Sequence, residues 1–123
     1  MNTHARIDLG KFGEDFACRY LQSKGYTIIC RNYKIRYAEI DIIARKNDVI
    51  SFIEVKTRRS LRYGRPIEAV TLVKQRKIYR CAEHYLQAAG LINCMPVLSF
   101  DVVEVIIEES KAAVSIKHHP HCF

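Results

Sequence analysis

Residues 39–56 read EIDIIARKNDVISFIEVK, and this stretch decides the fold. Apolar and polar residues alternate at both of its ends, which is typical of β-strands whose successive side chains point to opposite faces. The segment between them, Lys46-Asn47-Asp48, predicts a hairpin turn. Folding that hairpin brings Asp41 beside Glu54, and alternation places Lys56 on the same face as Glu54.

Charged side chains on these otherwise apolar strands require an explanation, because burying an unpaired charge costs roughly several kcal/mol. One explanation is a surface ion pair between an acid and Lys56 at the end of a strand. The other is a site for a divalent metal ion. Asp41 and Glu54 offer the hard oxygen ligands that suit Mg²⁺, which binds few carboxylates together with waters and substrate phosphate oxygens.

Basic residues are concentrated between residues 56 and 80, directly after these acids. The stretch holds nine Lys or Arg residues and a single acid, Glu68, so it carries a charge of +8, whereas the rest of the chain sums to −1 and the whole chain to +7. Such clustering favours contact with nucleic acid, whose phosphates dominate binding affinity. The alternative is a solvated surface with scattered charges. The residues that we expect to contact nucleic acid are Arg58, Arg59, Arg62, Arg65, Lys74, Gln75 and Lys77.

The rest of the sequence predicts two helices and three further strands. The helices run from about residue 9 to 24 and from a cap at Thr71 to Gly90, and the strands cover residues 26–32, 97–107 and 113–117. The resulting order, α-β-β-β-α-β-β, predicts an α/β fold. Residues 1–117 are expected to form a single domain, followed by a flexible tail over residues 118–123. The Arg-rich loop from Thr57 to Pro66 is expected to be mobile until substrate binds.

Asp41, a spacer, and then Glu54-Val55-Lys56 form a pattern that resembles the PD-(D/E)XK nuclease superfamily. A longer series of segments is similar to the YraN family, a group of small bacterial proteins related to archaeal Holliday-junction resolvases and described as endonuclease-like. The series runs from about residue 10 to 105 and includes Gly13-Glu14, Gly25-Tyr26, Arg31-Asn32-Tyr33, Glu39 to Ala44, Phe52 to Arg58, Lys74 and Phe100 to Val103. One position departs from the family, because Ala38 stands where its members usually have Gly.

This resemblance implies a restriction-endonuclease-like core, in which helices flank a mixed β-sheet. It also implies a Mg²⁺- or Mn²⁺-dependent endodeoxyribonuclease that acts on DNA, including branched or junction DNA. Asp41, Glu54 and the carbonyl of Val55 would hold the ion, and Lys56 would position the attacking water. Glu14 either supplies a third acidic ligand or base, or faces solvent. Junction cleavage needs two active sites and therefore a homodimer.

Two other classes of function stay open. The first is a nucleic-acid-binding module whose nuclease centre is vestigial, which predicts salt-sensitive binding without metal-dependent turnover. The second is an interaction protein, in which Asp41, Glu54 and Lys56 form a structural ion network and the Arg-rich loop docks an acidic partner. The triplet of two acids and a lysine favours the enzyme over both.

The cysteines and the hydropathy of the sequence indicate a cellular location. Five cysteines, with no CxxC pair, are typical of a reducing compartment. The longest uncharged run is shorter than the roughly 20 residues that a membrane helix needs. We therefore expect a cytoplasmic protein without a membrane partner.

Overall fold

The fold is one five-stranded β-sheet with a helix on each face, seen in a computed structural model that describes residues 8–59, 70–108 and 112–123. This mixed sheet and the order of its elements confirm the predicted α/β fold. A 3-10 turn at Ile92–Cys94 precedes the fourth strand. The helices and strands are α1 (Leu9–Ser23), β1 (Thr27–Ile35), β2 (Ala38–Lys46), β3 (Val49–Arg59), α2 (Leu72–Ala88), β4 (Val97–Glu108) and β5 (Ala113–His119).

The predicted hairpin lies at the centre of the sheet. β2 ends at Lys46 and β3 begins at Val49, so only Asn47 and Asp48 form the turn. Asn47 has a φ of 55°, a left-handed conformation that Asn adopts more readily than most residues. β1, β2 and β3 are antiparallel, β4 runs parallel to β3, and β5 is antiparallel to β4. β3 is therefore the middle strand and is paired on both sides.

The two faces of β3 bury different apolar clusters. Ile53 packs with the cluster under α1, whereas Ile50 and Phe52 pack with the cluster under α2. Glu54 follows Ile50 and Phe52 on the α2 face, as alternation predicts. Ile40 departs from the expected alternation, because it packs in the α2 cluster although Ile42 lies in the α1 cluster.

Both helices begin at a polar cap. The Asp8 carboxylate accepts the Lys11 N–H at 3.1 Å, and the Thr71 hydroxyl accepts the Lys74 N–H at 3.2 Å, which satisfies donors that a helix start leaves unpaired. Thr71 is the cap predicted from sequence. Gly90 follows α2 with a φ of 71°, as expected of a stop residue. Within the described residues, no helix has the length and apolarity needed to cross a membrane.

The C-terminal residues lie against the sheet. β5 continues to His119, so the expected boundary at residue 117 falls inside a strand. His118 Nε2 lies 2.7 Å from the buried Asp101 carboxylate, and the Phe123 ring lies 5.7 Å from that of Phe100. Residues 118–123 therefore pack on the domain, instead of forming the separate tail that was expected.

The Arg-rich loop also begins later than predicted. β3 extends to Arg59, so Thr57 and Arg58 belong to the sheet. The rest of the expected loop, with Arg62 and Arg65, lies outside the described residues.

All five cysteines are free thiols. Cys18 and Cys81 are buried in the two apolar clusters. Cys94 and Cys122 are exposed.

Gly13 is the residue at which α1 comes close to β3. A Cβ atom added there would lie only 2.9 Å from the Thr57 Cβ and still closer to the Thr57 hydroxyl. Gly13→Ala is therefore expected to destabilise the chain by about 1–2 kcal/mol, because overpacking outweighs the gain in helix propensity. Chemical denaturation measures this change.

Gly10→Ala is the matched control on the same helix. Its added Cβ would meet only the Asp8 Oδ1, at 3.4 Å, so helix propensity should dominate there. Equal stabilisation by both substitutions would contradict the close approach at Gly13.

Candidate functional site

A gap opens between β2 and β3 just beyond the paired residues Ile42 and Ile53. There the Val55 N–H donates to the Asp41 Oδ2 at 2.8 Å. The N–H and C=O of a strand residue point to the same edge of the strand, so the Val55 carbonyl also faces this gap. Asp41 and Val55, two of the predicted metal ligands, therefore share one opening in the sheet.

The carboxyl groups of Asp41 and Glu54 lie within hydrogen-bonding reach of each other at the gap. Glu54 is only 7% exposed. Burial, followed by the charge of Glu54, raises the pKa of Asp41 to about 8, against the opposing effect of the Val55 N–H. At neutral pH the pair therefore holds a proton in the absence of a cation.

An ammonium group from α2 also reaches this pair. Lys74, in the first turn of α2, forms an ion pair with Glu54 Oε2, while its own side chain is 51% exposed. The sequence left open an ion pair between an acid and Lys56, and it assigned Lys74 to nucleic acid. Lys56 is half-buried, two residues beyond Glu54 on the same face of β3. The structure therefore adds Lys74 to the carboxylate site.

Glu14 lies in the site and not on the open surface. Its side chain is 17% exposed and accepts hydrogen bonds from Asn32 Nδ2 at 3.0 and 3.2 Å. Arg31 contacts it at 3.5 Å and also pairs with Asp15 at 2.8 Å. Asn32 has a φ of 52°, which places a left-handed residue inside β1. Of the two alternatives for Glu14, the structure therefore favours a place at the site over a side chain that faces solvent.

A cavity of about 640 Å³ lies between α1, β2, β3 and α2, and its lining includes Glu14, Asp41, Glu54 and Lys74. The lining combines acidic side chains with lysines, and Lys56 is not part of the described lining. Such a mixed lining suits a ligand with both a cation and anionic oxygens. Its charged residues are Glu14, Glu39, Asp41, Glu54, Lys74 and Lys77.

The donor set can be compared with the needs of a metal ion. Among the residues that the structure describes, no three His, Cys, Asp or Glu side chains form a ready metal site. Asp41, Glu54 and the Val55 carbonyl still match Mg²⁺ or Mn²⁺, because these ions take few protein oxygens and complete their shells with waters and phosphates. A buried carboxyl pair that holds a proton is also a place where a cation can replace that proton. The residues therefore fit the ion.

The other predicted nucleic-acid contacts lie in different surroundings. Arg58 is 20% exposed in its side chain and pairs with Glu104 at 3.6 Å. Gln75 donates its side-chain amide to the Val70 carbonyl at 2.9 Å. Arg59 is exposed at the end of β3, whereas Lys77 is exposed and lines the cavity. The structure thus brings Lys74 and Lys77 to the carboxylates.

The chain is similar to a known protein family. A family model described as "Uncharacterised protein family UPF0102" matches residues 13–105. The chain belongs to this family. The match confirms the resemblance to the YraN family. Ala38, at the position where a Gly is usual, begins β2 and has no positive φ, so its methyl group is not strained by the backbone.

Relatives from three bacteria illustrate the family. A UPF0102 protein of Dictyoglomus turgidum is 40% identical over 116 residues, covering 94% of this chain and 97% of its own. A UPF0102 protein of Alkaliphilus metalliredigens is 50% identical over 103 residues, which cover 84% of this chain and 89% of the relative. A UPF0102 protein of Caldicellulosiruptor saccharolyticus is 44% identical over 109 residues, which cover 89% of this chain and 91% of the relative. The family model covers most of α1, all of β1, β2, β3 and α2, and most of β4.

Proposed function

We propose that this protein is a metal-dependent nuclease that hydrolyses phosphodiester bonds in DNA with Mg²⁺ or Mn²⁺. The observation that carries the proposal is the Asp41–Glu54 pair, in which two neighbouring carboxyl groups line a cavity together with Lys74 and Lys77. Burial, and next the charge of Glu54, raises the pKa of Asp41, and perturbed groups in a cavity are typical of functional sites.

Some residues of the site would bind the cation, and others would act on the phosphate and the water. Asp41, Glu54 and the Val55 carbonyl would hold the ion. A divalent cation bound there would neutralise charge on the scissile phosphate and lower the pKa of a water. Lys56 follows Glu54 on the same face of β3, where its ammonium group would stabilise negative charge and orient the attacking water. Glu14, held by Asn32 and Arg31, adds a fixed acceptor to the cavity lining.

A cleavage assay with a substrate panel tests this proposal. Linear, flap, four-way and single-stranded DNA are incubated with the protein and Mg²⁺, Mn²⁺ or a chelator. Turnover is expected only with a metal ion and is expected to be lost in Glu54→Gln. Branched DNA is the first substrate to test, and a homodimer is the assembly that paired cuts at a junction would require.

Asp48→Asn is the matched control for that assay. Asp48 lies on the same hairpin but in its exposed turn, so its loss should leave turnover unchanged. Equal turnover by Glu54→Gln and the wild type would contradict the assignment and point to a contaminating nuclease.

One observation favours a second function, a nucleic-acid-binding module without turnover. Lys74 already pairs with Glu54, which compensates one buried carboxylate without any metal ion. This alternative predicts salt-sensitive DNA binding, unaffected by chelator, and no cleavage even in Mn²⁺.

Lys74→Gln is expected to strengthen Mn²⁺ binding in the absence of DNA. The ammonium group that pairs with Glu54 repels an incoming cation at short range, so its removal should tighten binding about tenfold. Isothermal titration with Mn²⁺ measures the affinity.

Lys77→Gln serves as the control, because Lys77 lines the same cavity about one turn further along α2. Its effect on Mn²⁺ affinity should be clearly smaller. Weaker Mn²⁺ binding by Lys74→Gln would show that this ammonium group does not compete with the ion.

A further inference from the structure

Tyr37 is an exposed aromatic residue at the mouth of the cavity. It is 73% exposed, yet it lines the same cavity as Asp41 and Glu54. The ring lies in the short turn between β1 and β2, which is closed by the paired residues Ile35 and Ala38. An aromatic ring that is exposed and also lines a cavity is available for contact with a ligand.

The surroundings of Tyr37 combine apolar surface with positive charge. The Arg36 guanidinium lies 5.1 Å from the centre of the Tyr37 ring. Val73, which is 61% exposed, belongs to the same cavity lining from α2. Lys74 and Lys77 supply ammonium groups to that lining. An aromatic face, an apolar contact and nearby cations together match a nucleotide, which has a flat base and an anionic phosphate.

We propose that Tyr37 is a stacking platform for an unpaired nucleobase next to the phosphate in the cavity. This inference rests on the proposed nuclease function and deepens it by naming the substrate class. Bases inside a duplex stack on their neighbours and are closed to a protein side chain. The site therefore selects nucleic acid with at least one unpaired nucleotide, such as a single strand, a flap or an open branch point.

Binding to single-stranded and duplex DNA tests this inference without any cleavage. Fluorescence anisotropy with labelled oligonucleotides of one sequence is measured in chelator for the wild type, Tyr37→Ala and Tyr37→Phe. Loss of one stacked base should weaken single-strand binding by Tyr37→Ala about tenfold. Tyr37→Phe should retain the wild-type affinity, and duplex binding should change little in either variant.

A base analogue gives a second measurement. 2-Aminopurine in the single strand is expected to be quenched by the wild type and by Tyr37→Phe, but not by Tyr37→Ala. Because Tyr37 is exposed, thermal unfolding should show that both variants fold as the wild type does. Ile92→Ala, an exposed apolar residue outside the cavity lining, serves as a control that should not change binding.

The outcomes separate this inference from the nuclease proposal. Equal weakening of single-strand and duplex binding by Tyr37→Ala, or no weakening of either, overturns the stacking role even if the protein cleaves DNA. Binding of a polypeptide in preference to DNA overturns it as well. Selective loss of single-strand binding supports it, and absence of metal-dependent cleavage would then count against the hydrolase alone.

Discussion

Asp41→Asn is expected to abolish cleavage and, at the same time, to stabilise the protein at pH 8. The substitution removes one of the two carboxylates that would hold the cation, so turnover should fall by about 10³-fold or more. The Asn side chain can still accept the Val55 N–H and can donate to Glu54, replacing the hydrogen bond that the proton now makes. The fold therefore keeps its contacts and loses only a buried ionisable group.

The gain in stability follows from the pKa of Asp41. It is raised from 3.8 to about 8 in the folded protein, so the folded state binds a proton that the unfolded state has lost between these pH values. Without a cation, this group lowers the free energy of unfolding as pH rises from about 4 to about 8. The advantage of Asp41→Asn should therefore grow over this range, by on the order of 4 kcal/mol.

Urea denaturation of both proteins at pH 4.5, 6 and 8, in chelator, measures this difference. Asp48→Asn is again the control and should keep the pH dependence of the wild type. A loss of stability in Asp41→Asn at pH 8 would show that the Asp41 carboxylate is well accommodated when charged. That result would contradict the claim that Asp41 and Glu54 share a proton at neutral pH.

The affinity for Mn²⁺ is expected to rise about tenfold per pH unit between pH 6 and about 8, and to level off above that. The ion must displace the proton on Asp41, so one proton is released for each ion bound below the pKa of that group. Above pH 8 the carboxyl group is already ionised and the competition ends.

Calorimetric titration in two buffers of different ionisation enthalpy counts this proton. Near pH 7 we expect one proton released per Mn²⁺ bound by the wild type, and the same count for Asp48→Asn. Equal affinity at pH 6 and pH 8, with no proton released, would mean that Mn²⁺ binds elsewhere.

The hairpin and the helix ends were predictable because their signals are local. The alternation along residues 39–56 and its short turn place Asp41 beside Glu54, and the structure confirms this neighbourhood. The cap at Thr71 and the stop at Gly90 were likewise predicted from adjacent residues and are confirmed. Each of these features depends on only a few residues in sequence.

The contacts that sequence reasoning missed join distant parts of the chain. Lys74 contacts Glu54 only because α2 packs across the sheet. The sequence around Lys74 is basic throughout, so nothing local distinguishes this lysine from its neighbours or indicates a distant acidic partner. Asn32 reaches Glu14 through a left-handed backbone in β1, which is not visible in a strand pattern. His118 extends β5 because it pairs with the buried Asp101, although a polar C-terminus predicts a loose tail.

Membership of the family and catalytic activity depend on different features of the molecule. The similarity to UPF0102 proteins covers the fold from Gly13 to Val105. Activity requires, in addition, that Glu54 exchange Lys74 for a metal ion. That exchange depends on the balance between one ammonium group and a divalent cation at the same carboxylate.

The most direct test of the account is anomalous diffraction from crystals grown with Mn²⁺ at pH 8. We expect one strong peak between the carboxyl groups of Asp41 and Glu54, near the Val55 carbonyl, with the Lys74 ammonium group moved away from Glu54. Crystals of Asp41→Asn should lack this peak. An intact Lys74–Glu54 pair with no Mn²⁺ beside Asp41 in the wild type would contradict the claim that these two acids hold a catalytic cation.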